Sequence, residues 1–308
     1  MDNYLNISEK IEGHRWWRPQ AVLKVTGEDA LTFLQGQVTQ DLKLGSSSAV
    51  HYGLWLTPKG RVFADSVFFI LGPQDVVMVS ERTPAALLCS RMEQYIIADD
   101  VYIEDITEKF SGLDIYGVGH ARRMSSGEKE VPSPGQWVSF EGGFLFHRWP
   151  VVSGIFRAIF AREKERLVSG IPEAELSTTI TEWDRIARGI PSVPDDVGPG
   201  ELPNEAGLEA VAISYTKGCY LGQETMARLK SLGQIRRQLV RIQGTGLIPL
   251  TRPLSVFQEG KRVGDLKTTA VAPDGGYLGF ALITLLAFDR QKPLQIEGVA
   301  GEATLVDG

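Results

Sequence analysis

Cysteine is scarce in this chain of 308 residues: there are two, Cys89 and Cys219. So few thiols fit a reducing compartment rather than a disulfide framework. An iron–sulfur cluster is usually held by four thiolates, so one chain does not hold one by itself. Histidine is as sparse. His14, His51, His120 and His147 are scattered, and neither CxxC nor HExxH occurs, so no metal site is expected. Long apolar runs are missing too. The longest lies near Tyr277 to Phe288 and is broken by Thr284, whereas a membrane span needs about 18–20 apolar residues. No membrane partner is expected. The opening MDNYLNISEKIEG has no basic start and no apolar stretch, so no secretory signal is expected and a cytoplasmic location is. No GxxxxGK[ST] loop and no GxSxG elbow occurs, and Gly117-Val118-Gly119 meets Arg122 where a dinucleotide fingerprint needs its third glycine.

Charge and glycine tell more. Acids outnumber bases 38 to 32, and the net charge is −6. Neither broad coating of nucleic acid nor a direct nucleic-acid partner is expected. Glycine is in excess at 33 residues, which predicts many turns and close backbone approaches. The length suggests about two domains.

The pattern along the chain is one of antiparallel strands with helices interspersed. Ala21 to Thr26 alternates as a strand, and Ala30, Phe33, Leu34 and Val38 fall at helical spacing. Val50 to Ser80 reads strand–turn–strand–turn–strand, with Thr57-Pro58-Lys59-Gly60 as the first turn because Pro fixes φ at its second position. Thr83 to Gln94 reads as a helix with Pro84 in its first turn. After Gln234 short strands recur every 8–12 residues or so, as in a small barrel or sandwich. The fold class is α+β. The expected division is 1–236, two α+β lobes of which the first is split and completed by about 180–236, and 237–308, a small β-barrel.

The densest unusual segment is Lys217-Gly218-Cys219-Tyr220-Leu221-Gly222-Gln223-Glu224. A thiol lies between glycines, behind a lysine and ahead of a helix start near Gly222. A helix N-terminus and an ammonium both favour thiolate. On the residues alone two readings stand: a reactive or metal-touching thiol, or a small buried residue. Cys89, beside Leu87 and Leu88, reads as packing. From Lys217 to Arg241 there are six bases, Lys217, Arg228, Lys230, Arg236, Arg237 and Arg241, against Glu224 alone. That stretch is either an anion site or is paired with the acidic run from Glu182 to Glu209.

The octapeptide KGCYLGQE resembles the signature of the YgfZ family, folate-binding proteins related to the glycine-cleavage T-protein, an aminomethyltransferase. Four further blocks resemble the same family in the same order: Gly27 to Leu42, Leu56-Thr57-Pro58-Lys59-Gly60-Arg61-Val62, Arg185 to Pro191, and Leu202 to Leu208. The resemblance implies a T-protein-like ring of two ferredoxin-like α+β lobes plus a C-terminal antiparallel β-barrel, around a folate channel. It implies tetrahydrofolate as cofactor. It also implies a part in iron–sulfur cluster assembly or repair, with assembly machinery or client enzymes as partners, and through them a part in tRNA modification. The family's motif cysteine falls at Cys219, with Lys217 beside it as a catalytic candidate and Gly218, Tyr220, Gly222, Gln223 and Glu224 completing the motif.

T-proteins carry paired carboxylates after the hairpin, but Phe63-Ala64-Asp65 leaves one. Ala187-Arg188 stand where the family often has a pterin-binding Glu. Folate contacts are then expected from Asp65 and Glu205, with Asp184 as a further carboxylate, Arg228, and Trp183 stacked on the flat ring; a core Trp183 is the alternative. Two other functions are weighed: tetrahydrofolate-dependent aminomethyl transfer, and a ligand-free interaction scaffold.

Overall fold

The computed structural model describes residues 10–124, 131–149, 154–168, 174–249, 252–272 and 275–306. Most of the polar opening stretch lies outside the described residues. The chain divides by its internal contacts into two units. One is Ile11–Leu176 completed by Ala210–Thr225; the other is built from Ser177–Glu209 and Met226–Gly308.

The first unit holds two five-stranded antiparallel sheets. One has the order β3 (Val50–Leu56), β4 (Val62–Gly72), β5 (Asp75–Ser80), β2 (Ala21–Thr26), β6 (Tyr102–Asp105). The other has the order β1 (Gly13–Trp17), β7 (Phe110–Tyr116), β10 (Ile155–Ala161), β9 (Gly143–His147), β8 (Trp137–Phe140). Apolar residues on the facing sides pack together: Val22, Phe69 and Val79 from the first sheet meet Phe144, Phe146 and Ile159 from the second. Phe69 and Phe144 stack at 4.0 Å. Helices α1 (Ala30–Gln37) and α2 (Ala85–Glu93) cover the far face of the first sheet, where Leu34, Trp55, Phe68 and Leu88 are buried. Helix α3 (Val118–Met124) follows β7, and the short α4 (Glu165–Val168) follows β10.

The second unit pairs α5 (Thr178–Ala187), capped by Ser177 Oγ on the Ile180 amide, with a six-stranded antiparallel sheet. Its order is β15 (Gln295–Ile296), β12 (Leu254–Gln258), β13 (Lys261–Val271), β14 (Tyr277–Thr284), β11 (Arg237–Gly244), β16 (Ala303–Leu305). The two ends of this sheet meet. Leu294 and Ala303 exchange backbone hydrogen bonds of 2.7 and 2.8 Å, which curls the sheet into a barrel. Two further helices fall where the chain passes from one unit to the other: α6 (Glu209–Ala212) lies mostly in the first unit, and α7 (Gln223–Leu232) starts in the first unit and runs on in the second. No helix among the described residues is long and apolar enough to cross a membrane.

Candidate functional site

The cysteine motif is built onto two other segments of the first unit. Its anchor is Lys217, which is buried. The ammonium donates to the carbonyls of Gln35, Val38 and Gln40 at 2.6, 2.8 and 2.7 Å. Those carbonyls lie at and just past the end of α1, where backbone acceptors have no helical partner. An ammonium has three N–H groups, and here all are committed. Burial draws the Lys217 pKa down to about 8, while three carbonyl oxygens favour its charged form. Lys217 thus positions the loop; the expectation that it serves chemistry at Cys219 finds no spare N–H.

Further bonds fasten the same loop. Leu221 N donates to Gly36 O at 3.2 Å, Ser214 N to Thr39 O at 3.0 Å, and Thr39 Oγ1 to Ala212 O at 2.6 Å. Gly222 has φ +85°, and a Cβ there would stand 2.8 Å from Thr57 O and 3.0 Å from Leu56 Cβ. Only glycine lets the motif lie this close to the β3–β4 turn. Gly222 is followed directly by α7, so Gln223 and Glu224 fall in its first turn, with Glu224 exposed. Tyr220 is buried, and Lys217 Nζ lies 5.3 Å from its ring centre. Gly218 and Cys219 are exposed, and a Cβ on Gly218 would meet nothing within 4 Å. The thiol thus stands at the surface of a loop pinned on both sides. Cys89, by contrast, is half-buried on α2, and burial raises its pKa.

Asp65 stands on the stem of the same hairpin, opposite Leu54. It is five residues from Gly60, about 16 Å along an extended strand. Its Oδ2 accepts from Tyr52 Oη at 2.9 Å. Burial pushes the Asp65 carboxyl up to about 7; Tyr52, Arg157 and Arg82 pull it down, and Glu81 pushes it further up. Tyr52 is buried, its own pKa raised by burial and by the Asp65 charge.

Beside them lies a closed square of charges. Asp114 on β7 has Arg15 and Arg157 as its direct neighbours on the flanking strands. Arg15 Nη2 bonds Asp114 at 2.7 Å and Glu81 at 2.9 Å; Arg157 bonds Asp114 at 2.7 Å and Glu81 at 2.8 Å. Burial acts to raise both acids, and the two arginines outweigh it: Asp114 is held at about 2 and Glu81 well below the usual range. Four donors in this region are buried with no hydrogen-bond partner among the described residues: Arg15 Nε, Trp17 Nε1, Arg148 Nη1 and Trp149 Nε1. The Trp149 ring is 5.7 Å from that of Tyr52.

The remaining expected folate contacts belong to the second unit. Trp183 is 2% exposed on α5, the core alternative. Both Glu205 oxygens accept from Arg237 at 2.8 Å, and one also accepts from Leu202 N. Asp184 takes Arg188 at 2.8 Å. Arg228 is exposed on α7. Among the described residues no three His, Cys, Asp or Glu side chains are grouped to hold a metal ion.

Known proteins resemble this chain at several levels. The GCVT N-terminal domain family matches residues 20–126. The "tRNA-modifying protein YgfZ" of Vibrio vulnificus (strain CMCP6) is 27% identical over 252 residues, covering 79% of this chain and 73% of the relative. The protein of the same name from Hamiltonella defensa subsp. Acyrthosiphon pisum (strain 5AT) is 26% identical over 292 residues, covering 90% and 84%. The crystal structure of glycine cleavage system aminomethyltransferase T from Bartonella henselae superposes with a TM-score of 0.78 at 14% identity, over 99% of this chain and 88% of that one. The chain is YgfZ-like, on a T-protein fold.

For a YgfZ-like chain the structure adds residues that sequence reasoning missed. Tyr52, Arg148 and Trp149 surround Asp65 or the charged square, yet none lies in a recognisable motif. Tyr52 alone had a signal. With the turn at Thr57 to Gly60, Leu54 comes opposite Asp65, and Tyr52 lies two residues along on the same face.

Proposed function

We propose that this chain is a folate-binding, YgfZ-like factor of iron–sulfur cluster assembly or repair, acting through Cys219 and thereby serving tRNA modification. The observation that carries the reading is the exposed thiol of Cys219 on a loop that Lys217, Leu221 and Gly222 fix to two other motif segments. A thiol held for packing alone has no need of that position. The names of the relatives support the link to tRNA modification, and the lack of a four-thiolate set in one chain fits brief contact with a cluster or persulfide carried by a partner.

The Asp65 corner suits a pterin. Such a ring donates through its ring N–H and amino groups and accepts at its carbonyl. Asp65 supplies an acceptor, and Arg148 Nη1 and Trp149 Nε1 are buried donors in want of one. Tetrahydrofolate, when bound, supplies one-carbon chemistry; the residues here bind and orient it, and Asp65 holds or releases a proton on its carboxyl near neutral pH. That titrating carboxyl favours a second reading, tetrahydrofolate-dependent aminomethyl transfer.

Two measurements test these readings. Under native conditions iodoacetamide should modify Cys219 well before the half-buried Cys89, as read by peptide mass spectrometry. A Cys219 that reacts only on unfolding would end the proposal. Tetrahydrofolate should quench tryptophan fluorescence in a saturable way that Asp65→Asn weakens. A flat titration leaves the scaffold reading in its place. Release of formaldehyde or ammonia from an aminomethylated carrier protein would select aminomethyl transfer.

A further inference from the structure

The basic stretch that precedes and enters the barrel is not used up by the thiol site. Within the second unit a hollow of about 240 Å³ is lined by Gly189, Pro191, Leu239, Arg241, Phe280 and Arg290, among others. Arg241 and Phe280 are direct partners across β11 and β14, so the guanidinium and the ring share a face. Gly189 packs against the same guanidinium: a Cβ there would stand 3.7 Å from Arg241 Nε. Arg241 is half-buried and donates Nη1 to the Ala187 carbonyl. Burial lowers its pKa, with no acid to offset it. Arg290 is exposed and donates to Gln238 Oε1 at 2.8 Å.

Neither arginine has an ion-pair partner among the described residues. Their neighbours do. Arg185 bonds Asp196 at 2.6 Å, Arg188 bonds Asp184 at 2.8 Å, and Arg237 bonds Glu205 at 2.8 Å. The acidic run thus neutralises three arginines and leaves two facing the hollow. A half-buried cation without a counter-charge is costly, and an anion entering the hollow offsets that cost.

We propose that this hollow is a binding site for a small carboxylate with an apolar body, its oxygens taken by Arg241 and Arg290. The planar guanidinium fork matches a carboxylate. Pro191, Leu239 and Phe280 give the body an apolar wall. The volume lies below the roughly 300–1,000 Å³ of pockets for larger ligands, so a ring-sized acid fits and a nucleotide does not. The site shares no residue with Cys219 or Asp65, and it stands or falls apart from the function proposed above.

The test uses the full chain, with benzoate, benzamide and inorganic phosphate as probes in titration calorimetry and thermal shift. Benzoate should bind and raise the Tm with concentration, while benzamide, the same shape without charge, should do neither. Phosphate should bind about tenfold more weakly than benzoate, because it has no apolar body to bury. Arg241→Gln should weaken benzoate about tenfold or more, the scale of a lost charge-assisted pair. If Arg241→Gln does not fold, Arg290→Gln carries the test, because its exposed side chain bonds only Gln238, and it should weaken benzoate measurably. Equal binding of benzamide, equal or tighter binding of phosphate, unchanged benzoate affinity in the folded variants, or no benzoate binding at ~10 mM each overturns the proposal.

Discussion

Asp65 keeps its proton to unusually high pH because its carboxyl is taken from water faster than its neighbours compensate. Tyr52 donates to it, but Glu81 stands nearby with the same sign. The folded value, about 7, lies above the unfolded value of 3.8. Between those pH values the folded chain binds more protons than the unfolded one. The Asp65 contribution to stability is thus full below pH 3.8, is lost as pH rises through about 7, and is flat beyond. Urea unfolding from pH 4 to 8 should show this falling term in the wild type and lose it in Asp65→Asn. An unchanged slope in that variant would place the titration elsewhere. Lys217 is shifted by burial in the same sense, toward its neutral form, down to about 8, although its every N–H is answered by a backbone carbonyl.

At the scale of elements, the loop, the end of α1 and the β3–β4 turn form one assembly. Gly222 is its tightest point and Gly218 its loosest. Gly222→Ala puts a Cβ into Thr57 O at φ +85°, which should cost about 1–3 kcal/mol. Gly218→Ala meets open space and should stay within about 0.5 kcal/mol. Thermal unfolding of the two variants checks this, and equal losses would contradict it. Much of this assembly was legible in the sequence. The TPKG turn, the α1 spacing and the helix start after Gly222 are local patterns, and local patterns are what a sequence carries. Strands β1 and β8 carry no such local pattern. GHRWW has no apolar alternation and WVSF is four residues long; each becomes a strand by pairing with β7 or β9. The charged square was hidden for the same reason, since Arg15, Glu81, Asp114 and Arg157 meet only once strand order is known.

For the whole molecule, resemblance led from five short blocks to the T-protein fold, and the solved relative confirms that fold over 99% of the chain. Three of the blocks, around Gly36, Thr57 and Cys219, come together in one unit. In the block at Arg185 to Pro191 the Ala187 carbonyl accepts from Arg241. The most direct measurement is the level of thiolated tRNA in cells lacking this chain, after return of the wild type or of Cys219→Ser with matched expression and Tm. The wild type should restore thiolation and Cys219→Ser should not. Full restoration by Cys219→Ser would contradict the account.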